Sequence, residues 1–180
     1  LYPLVSNAIR ILQQLRLRPF PTIMDKMTHN AATYPIERNK GSNLHECEPR
    51  PYRLSLVFQG SVASIANDAT KFPLLPAKIH AMIRQASSFS EQRGWDRYDT
   101  EDNLVYALSA EMGELCEALG WSLGTPTNTT LAPGRIHEIA GEVADVVVYA
   151  LKLSEVLGVT GELTALCREE VPSCFYRVDG

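Results

Sequence analysis

Residues 135–157 read as a helix with almost no polar side. Ile139, Val143, Val146, Val147, Ala150, Leu151, Leu153 and Leu157 are spread around it, and Glu138, Glu142, Asp145 and Tyr149 form one narrow strip. A helix that is apolar on nearly every face has to be enclosed by other elements. In a chain of 180 residues, long enough for one domain with a sizeable core, that requirement favours a bundle of helices over other architectures.

Residues 100–120 repeat the pattern in milder form, with Thr100 placed as an N-cap and Gly120 as the stop. Glu111 and Glu114 are three residues apart, as are Glu142 and Asp145, so each pair shares one helix face. On the first helix Leu104, Ala107, Leu115 and Ala118 fall within about 40° of Glu111, so the acids interrupt the apolar stripe instead of lying opposite it. An ionised carboxylate in apolar surroundings must be protonated, paired or metal-bound, and few bases are available in the neighbouring sequence. Two readings follow from spacing. Acid pairs of this kind are common on solvated helix faces and then carry no chemistry. Facing one another, the four acids make an oxygen-only site of the kind that suits Mg²⁺ or Mn²⁺. A di-iron bundle would need Glu-x-x-His pairs, which are not present.

The remaining elements follow from periodicity and breakers. Pro76 opens an amphipathic helix on Ile79, Met82, Ile83, Ala86 and Phe89 that ends near Arg93 and Gly94. Trp95-Asp96-Arg97-Tyr98-Asp99 forms a connector, residues 122–134 read as a loop, and Thr160 caps a short last helix to about residue 169, stopped by Pro172. The expectation is an all-α, four-helix-bundle-like domain over residues 76–170, followed by a divergent tail over residues 171–180. Residues 1–75 are expected to form a poorly ordered or targeting extension. Within it residues 1–24 contain Arg10, Arg16 and Arg18, no acid, and an amphipathic run over residues 5–17, a composition that also suits an organelle (mitochondrial) transit segment.

The formal net charge of −4 argues against a general nucleic-acid or membrane-surface binder. Charge is uneven, net +4 over residues 1–54 and net −8 over residues 55–180, so the two parts need not share a job. No apolar run approaches a transmembrane length. Cys47, Cys116, Cys167 and Cys174 have neither C-x-x-C spacing nor a His at zinc-site distance, which makes a reducing compartment, the cytoplasm, the default. The large apolar surface of the helices leads to an expected homodimer or homotetramer.

Gly94-Trp95, Asn103-Leu104, Ala110-Glu111-Met112-Gly113-Glu114-Leu115-Cys116-Glu117, Gly120-Trp121 and Glu142-Val143-Ala144-Asp145-Val146-Val147-Val148-Tyr149 occur in that order. This set resembles the MazG-like all-α nucleoside triphosphate pyrophosphatases, and within them the dCTP pyrophosphatase branch, over about residues 77–168. The resemblance implies a MazG-type fold and hydrolysis of a nucleoside triphosphate, dCTP or a modified dCTP, to the monophosphate and pyrophosphate. It implies catalytic and Mg²⁺-binding roles (Mn²⁺ as the substitute) for Glu111, Glu114, Glu142 and Asp145. Which acid accepts the proton of the attacking water is left open by spacing.

Substrate contacts are expected from Trp95, Trp121, Tyr149 and Arg168. Each Trp follows a glycine at a helix end, where an indole can stack on a nucleobase, a contact of about 1–3 kcal/mol per base, or can simply close the bundle. Tyr149 reaches either a phosphate or sugar oxygen or a core hydrogen-bond partner. Glu117 and Glu138 flank the main acids as supporting or solvated groups, and Asn103 is placed to fix the connector. Four departures from the branch stand out. Ala86 occupies the place of a His, and Arg168 that of a last-helix Lys. Pro172 stands where an Asn four residues after that Lys would be, and the basic stretch ending in Tyr-Pro is missing after it. A bundle of the same fold that has lost turnover and serves as an oligomerisation or regulatory module is the alternative function.

Overall fold

The computed structural model describes residues 1–41, 76–120 and 133–169, and all secondary structure among them is helical. In chain order the helices are α1 (Tyr2–Gln14), α2 (Pro19–Thr33), α3 (Ile36–Asn39), α4 (Pro76–Arg93), α5 (Glu101–Leu119), α6 (Pro133–Val156) and α7 (Thr160–Glu169), with a 3₁₀ turn at Asp96–Tyr98 between α4 and α5. The fold is all-α, as expected.

Helix α6 is the axis of the molecule. Ile139, Ala140, Val143, Ala144, Val146, Val147, Ala150 and Leu151 are each at most 2% exposed, because α5, α1, α2, α4 and α7 all pack on it. Its near-uniform apolar surface is thus satisfied from several sides at once. The ends of the helices obey local chemistry. Thr100 caps α5 by accepting a hydrogen bond from the Asn103 N–H at 3.3 Å. Helix α4 stops at Gly94 (φ 65°), whose N–H reaches the Glu91 carbonyl at 3.0 Å while the Trp95 N–H reaches that of Ser90 at 2.9 Å. This paired closure needs a left-handed residue, which only glycine adopts without strain, and it turns the chain so that Trp95 follows directly. Gly158 ends α6 in the same way, through Glu155 and Ser154.

The N-terminal expectation is corrected for residues 1–41. Instead of a poorly ordered extension they form α1, α2 and α3, and Val5, Leu12 and Ile23 are fully buried. Burying side chains of this size stabilises by about 1.5–3 kcal/mol each, but only once a complementary surface exists. That surface is α6, against which both α1 and α2 lie. The amphipathic run read as possible transit sequence is therefore a core helix. Residues 42–75 and 121–132, including most of the expected loop, and the tail from residue 170 lie outside the described residues. Among the described residues no helix is long and apolar enough to cross a membrane.

Candidate metal centre

Helices α5 and α6 pack on one another more extensively than any other pair among the described residues, and their acids meet across that interface. Glu111 from α5 and Glu142 and Asp145 from α6 offer carboxylate oxygens that all lie within 4.8 Å of one another. Glu114 is not part of this trio. Three residues on, a helical position is rotated by about 60° and raised by most of a turn, and Glu114 there is exposed. Its charge still bears on both Glu111 and Glu142.

The base that the neighbouring sequence lacked, and a second hydrogen-bond donor with it, arrive from α2. Lys26 Nζ lies 2.8 Å from Asp145 Oδ2, and Asn30 Nδ2 donates to Asp145 Oδ1 at 3.1 Å. Neither residue was singled out from the sequence, although a signal was there: Lys26, Asn30 four residues later, then Tyr34-Pro35. Their order is similar to the Lys, Asn and Tyr-Pro succession that the resemblance leads one to expect after Arg168, without the basic stretch between, and it is carried by a helix at the opposite end of the chain.

Burial dominates the electrostatics. It pushes the Glu111 carboxyl up to about 8, with Asp145, Glu114 and Glu142 adding to the rise and Lys26 opposing it. Glu142 is pushed up to about 7, again by burial, with Lys26 pulling back and Asp145, Glu114 and Glu138 pushing further. Asp145 is raised as well, because its burial outweighs Lys26, Asn30 and His29. Burial works against the Lys26 charge, but Asp145, Glu142 and Glu111 together hold its ammonium above the ordinary range. Metal-free, the cluster therefore relieves its repulsion by keeping protons near neutral pH.

The donor set fits a hard divalent ion. It consists of carboxylate oxygens alone, and three ionised acids beside one ammonium leave two negative charges for a doubly charged cation to neutralise. Each Asp145 oxygen already takes a hydrogen-bond donor but has a second lone pair for an ion.

Around the trio the other expected residues separate. Tyr149 is one turn beyond Asp145, and burial first, then the charges of Glu111, Asp145 and Asp99, lift its hydroxyl well above the usual phenol range. It is held as a neutral hydrogen-bonding group beside the acids. Half-buried Trp95 packs edge-on against Tyr34 (ring centres 6.0 Å apart) and Phe89 (5.7 Å). Two of the bonds that fasten its connector come from α5 and α6. Asn103 Nδ2 donates to the Tyr98 carbonyl at 3.0 Å, the fixing role expected of it, and Lys152 Nζ bridges Asp99 Oδ1 (2.6 Å) and Ser90 Oγ (2.7 Å). Glu138 is exposed and paired with Arg135 at 2.8 Å; Arg135 also donates to the Glu117 carbonyl at 3.0 Å. Ala86, where a His was looked for, is a core residue. Trp121 lies outside the described residues, as does the side chain of Arg168, whose backbone belongs to α7.

Fold and site together define an all-α bundle with a carboxylate cluster able to hold a metal ion between two core helices. Two curated proteins share sequence with it. The chain is 29% identical to dCTP pyrophosphatase 1 of Homo sapiens over 104 residues, 57% of this chain and 55% of that protein. It is 31% identical to dCTP pyrophosphatase 1 of Mus musculus over 72 residues, 39% of this chain and 42% of that one. The resemblance to the dCTP pyrophosphatase branch of the MazG-like proteins is thus met in named relatives, and the chain spans about half the length of the curated relatives it matches. No family model and no solved structure matches the chain.

Proposed function

We propose that this chain is a divalent-cation-dependent nucleoside triphosphate pyrophosphatase, acting on a (deoxy)nucleoside triphosphate, dCTP or a modified dCTP foremost, in clearing the nucleotide pool. The reading is carried by one observation, the convergence of Glu111, Glu142 and Asp145 within 4.8 Å beside Lys26. The reaction proposed is the one the resemblance implies: a water oxygen bonds to the α-phosphorus and gives up a proton to solvent or to one of the acids, the bond from that phosphorus to the bridging oxygen breaks, and pyrophosphate leaves with the electron pair.

Mg²⁺, or Mn²⁺ in its place, would be held by Glu111, Glu142 and Asp145, with Glu114 close by, and would supply charge neutralisation at the phosphate oxygens and a more acidic water. The chain's own groups do the rest. Lys26 sets an ammonium beside the acids, where a polyphosphate would otherwise meet only negative charge. Asn30 holds Asp145 in place. Tyr149 offers a neutral hydroxyl to a phosphate or sugar oxygen, and Trp95 an aromatic surface to a base. Arg168 and Trp121 remain in the proposal as substrate contacts. A homodimer or homotetramer is proposed on the exposure of Val105, Tyr106, Leu119 and Leu157, and a cytoplasmic setting on the free thiols of Cys116 and Cys167.

The test is a panel of standard and modified nucleoside triphosphates assayed for pyrophosphate release with Mg²⁺, with Mn²⁺ and with EDTA. Turnover of a member of the panel that requires the metal, and that is lost in folded Glu111→Gln and Asp145→Asn proteins, is the expected result. A metal-loaded parent that hydrolyses nothing on the panel removes the enzymatic reading and leaves the oligomerisation or regulatory module.

A further inference from the structure

Arg93 ends α4 and is 3% exposed, and its guanidinium is spent on backbone carbonyls. Nε donates to Tyr34 at 2.7 Å, Nη1 to Phe89 at 2.9 Å and Nη2 to Ala31 at 3.3 Å, while the guanidinium stacks on the Phe89 ring at 3.8 Å. Ala31 and Tyr34 belong to the last turn and C-cap of α2, and Phe89 to the last turn of α4. One cation therefore serves the carbonyl ends of two helices, where unpartnered acceptors and the helix dipole both favour positive charge. The contact continues past the side chain. The Gly41 N–H donates to the Arg93 carbonyl at 2.8 Å, and Arg97 Nη2 returns a bond to the Gly41 carbonyl at 2.9 Å.

Stability alone does not call for this arrangement. Burial strips water from the guanidinium and pulls its pKa down, with Glu37 offsetting the effect, and an apolar side chain of similar volume would hold two helices together without that penalty. What an apolar residue lacks is direction. Two N–H groups aimed at the Tyr34 and Ala31 carbonyls, from a guanidinium held to its own helix by the third at Phe89, fix both the rotation of α2 and its position along its axis. Lys26, Asn30 and Tyr34 recur at a spacing of four on that helix and its cap, so they share a face, and the first two meet Asp145. A slip of one residue would turn that face by about 100° and take both side chains off the acid.

We propose that Arg93 is a positioning residue that sets α2 so that Lys26 and Asn30 face Asp145; the proposal rests on the cation-site reading above. Mn²⁺ alone is the probe, titrated calorimetrically into the full chain at neutral pH, for the parent, Lys26→Met, Arg93→Lys and the double variant. Lys26→Met removes an ammonium that opposes the ion and tightens Mn²⁺ by roughly tenfold. Arg93→Lys, which keeps a charge but loses the fork, moves affinity the same way by roughly three- to tenfold, and the double variant binds no more tightly than Lys26→Met. A merely structural arginine would not show this dependence on Lys26. The proposal is overturned if folded Arg93→Lys binds Mn²⁺ like the parent, or if its effect adds in full to that of Lys26→Met. If Lys26→Met itself leaves Mn²⁺ affinity unchanged, the cation-site reading falls first and the role of Arg93 with it. Arg93→Gln, neutral and still a donor, is judged by the same criteria where the lysine variant does not fold.

Discussion

Lys26 Nζ and Asp145 Oδ2 stand 2.8 Å apart with each side chain only 12% exposed, so a helix from the start of the chain supplies the counter-charge for an acid in its most buried helix. Breaking a buried pair by removing one partner costs about 3–5 kcal/mol because the other charge is left unmatched. For Lys26→Met we expect the lower end, about 3 kcal/mol, since the acids can answer by taking up protons. Urea unfolding in EDTA measures it, and added Mn²⁺ should return most of the loss, because the ion replaces the missing positive charge. A Lys26→Met protein as stable as the parent in EDTA would mean that the pair does not matter to the fold.

The protons on the metal-free cluster make stability depend on pH in a direction opposite to that of most carboxylates. Glu111 is raised to about 8 and Glu142 to about 7 from an ordinary 4.5. Between those values the folded chain holds protons that the unfolded chain has released. The stabilising contribution is therefore complete below pH 4.5 and is lost as pH rises through 7 and then 8. After discounting for the solvent that reaches both half-buried side chains, the loss is on the order of 2 kcal/mol. Melting temperature in EDTA should fall from about pH 5 to about pH 8.5, and saturating Mg²⁺ should flatten or reverse the trend, because the ion binds the deprotonated acids. A metal-free melting temperature that is flat or rises over this window contradicts the burial of Glu111.

The four helices α4 to α7 were legible because each carries its own punctuation, and Thr100, Gly94 and Gly158 mark ends that depend on local chemistry alone. The trio was legible for a different reason: acids inside an apolar stripe demand an explanation wherever the helices pack. Helices α1 and α2 were not. The apolar face of α1 has no reason to be ordered until α6 is beside it, and its arginines gave the same stretch a second meaning. On α2 the informative positions, Lys26 and Asn30, are polar residues whose half-burial depends on Asp145, a partner that no local period can reveal. Glu114 shows the limit of the period itself, since a shared helix face does not decide whether both acids reach the same point across the interface.

Glu111 and Glu114 should accordingly differ when tested alike. Glu111 belongs to the trio whose oxygens lie within 4.8 Å, and Glu114 acts on it only through charge. Removing a ligand should weaken Mn²⁺ by about 100-fold or more, and removing a neighbouring charge by about tenfold or less. Calorimetry on Glu111→Gln and Glu114→Gln separates the two. Equal losses would place Glu114 among the ligands and require α5 to turn on metal binding.

Lys152 offers a test of whether the connector serves substrate binding. This residue is 8% exposed and its ammonium ties Asp99 and Ser90 together, and Asp99 closes the same short connector that begins with Trp95. Lys152 is about two turns along α6 from Asp145 and bonds Asp99 and Ser90, so Lys152→Met should leave the cation site unchanged while freeing the connector. If Trp95 meets the base, a loosened connector loses some or all of a stacking contact of about 1–3 kcal/mol, which corresponds to a rise in KM from roughly fivefold to over a hundredfold. With kcat and Mn²⁺ affinity near those of the parent, that pattern separates base contact from metal chemistry, and Trp95→Ala should reproduce it. A Lys152→Met protein that stays folded but loses kcat at unchanged KM would place the clamp with the acids and take the base away from Trp95.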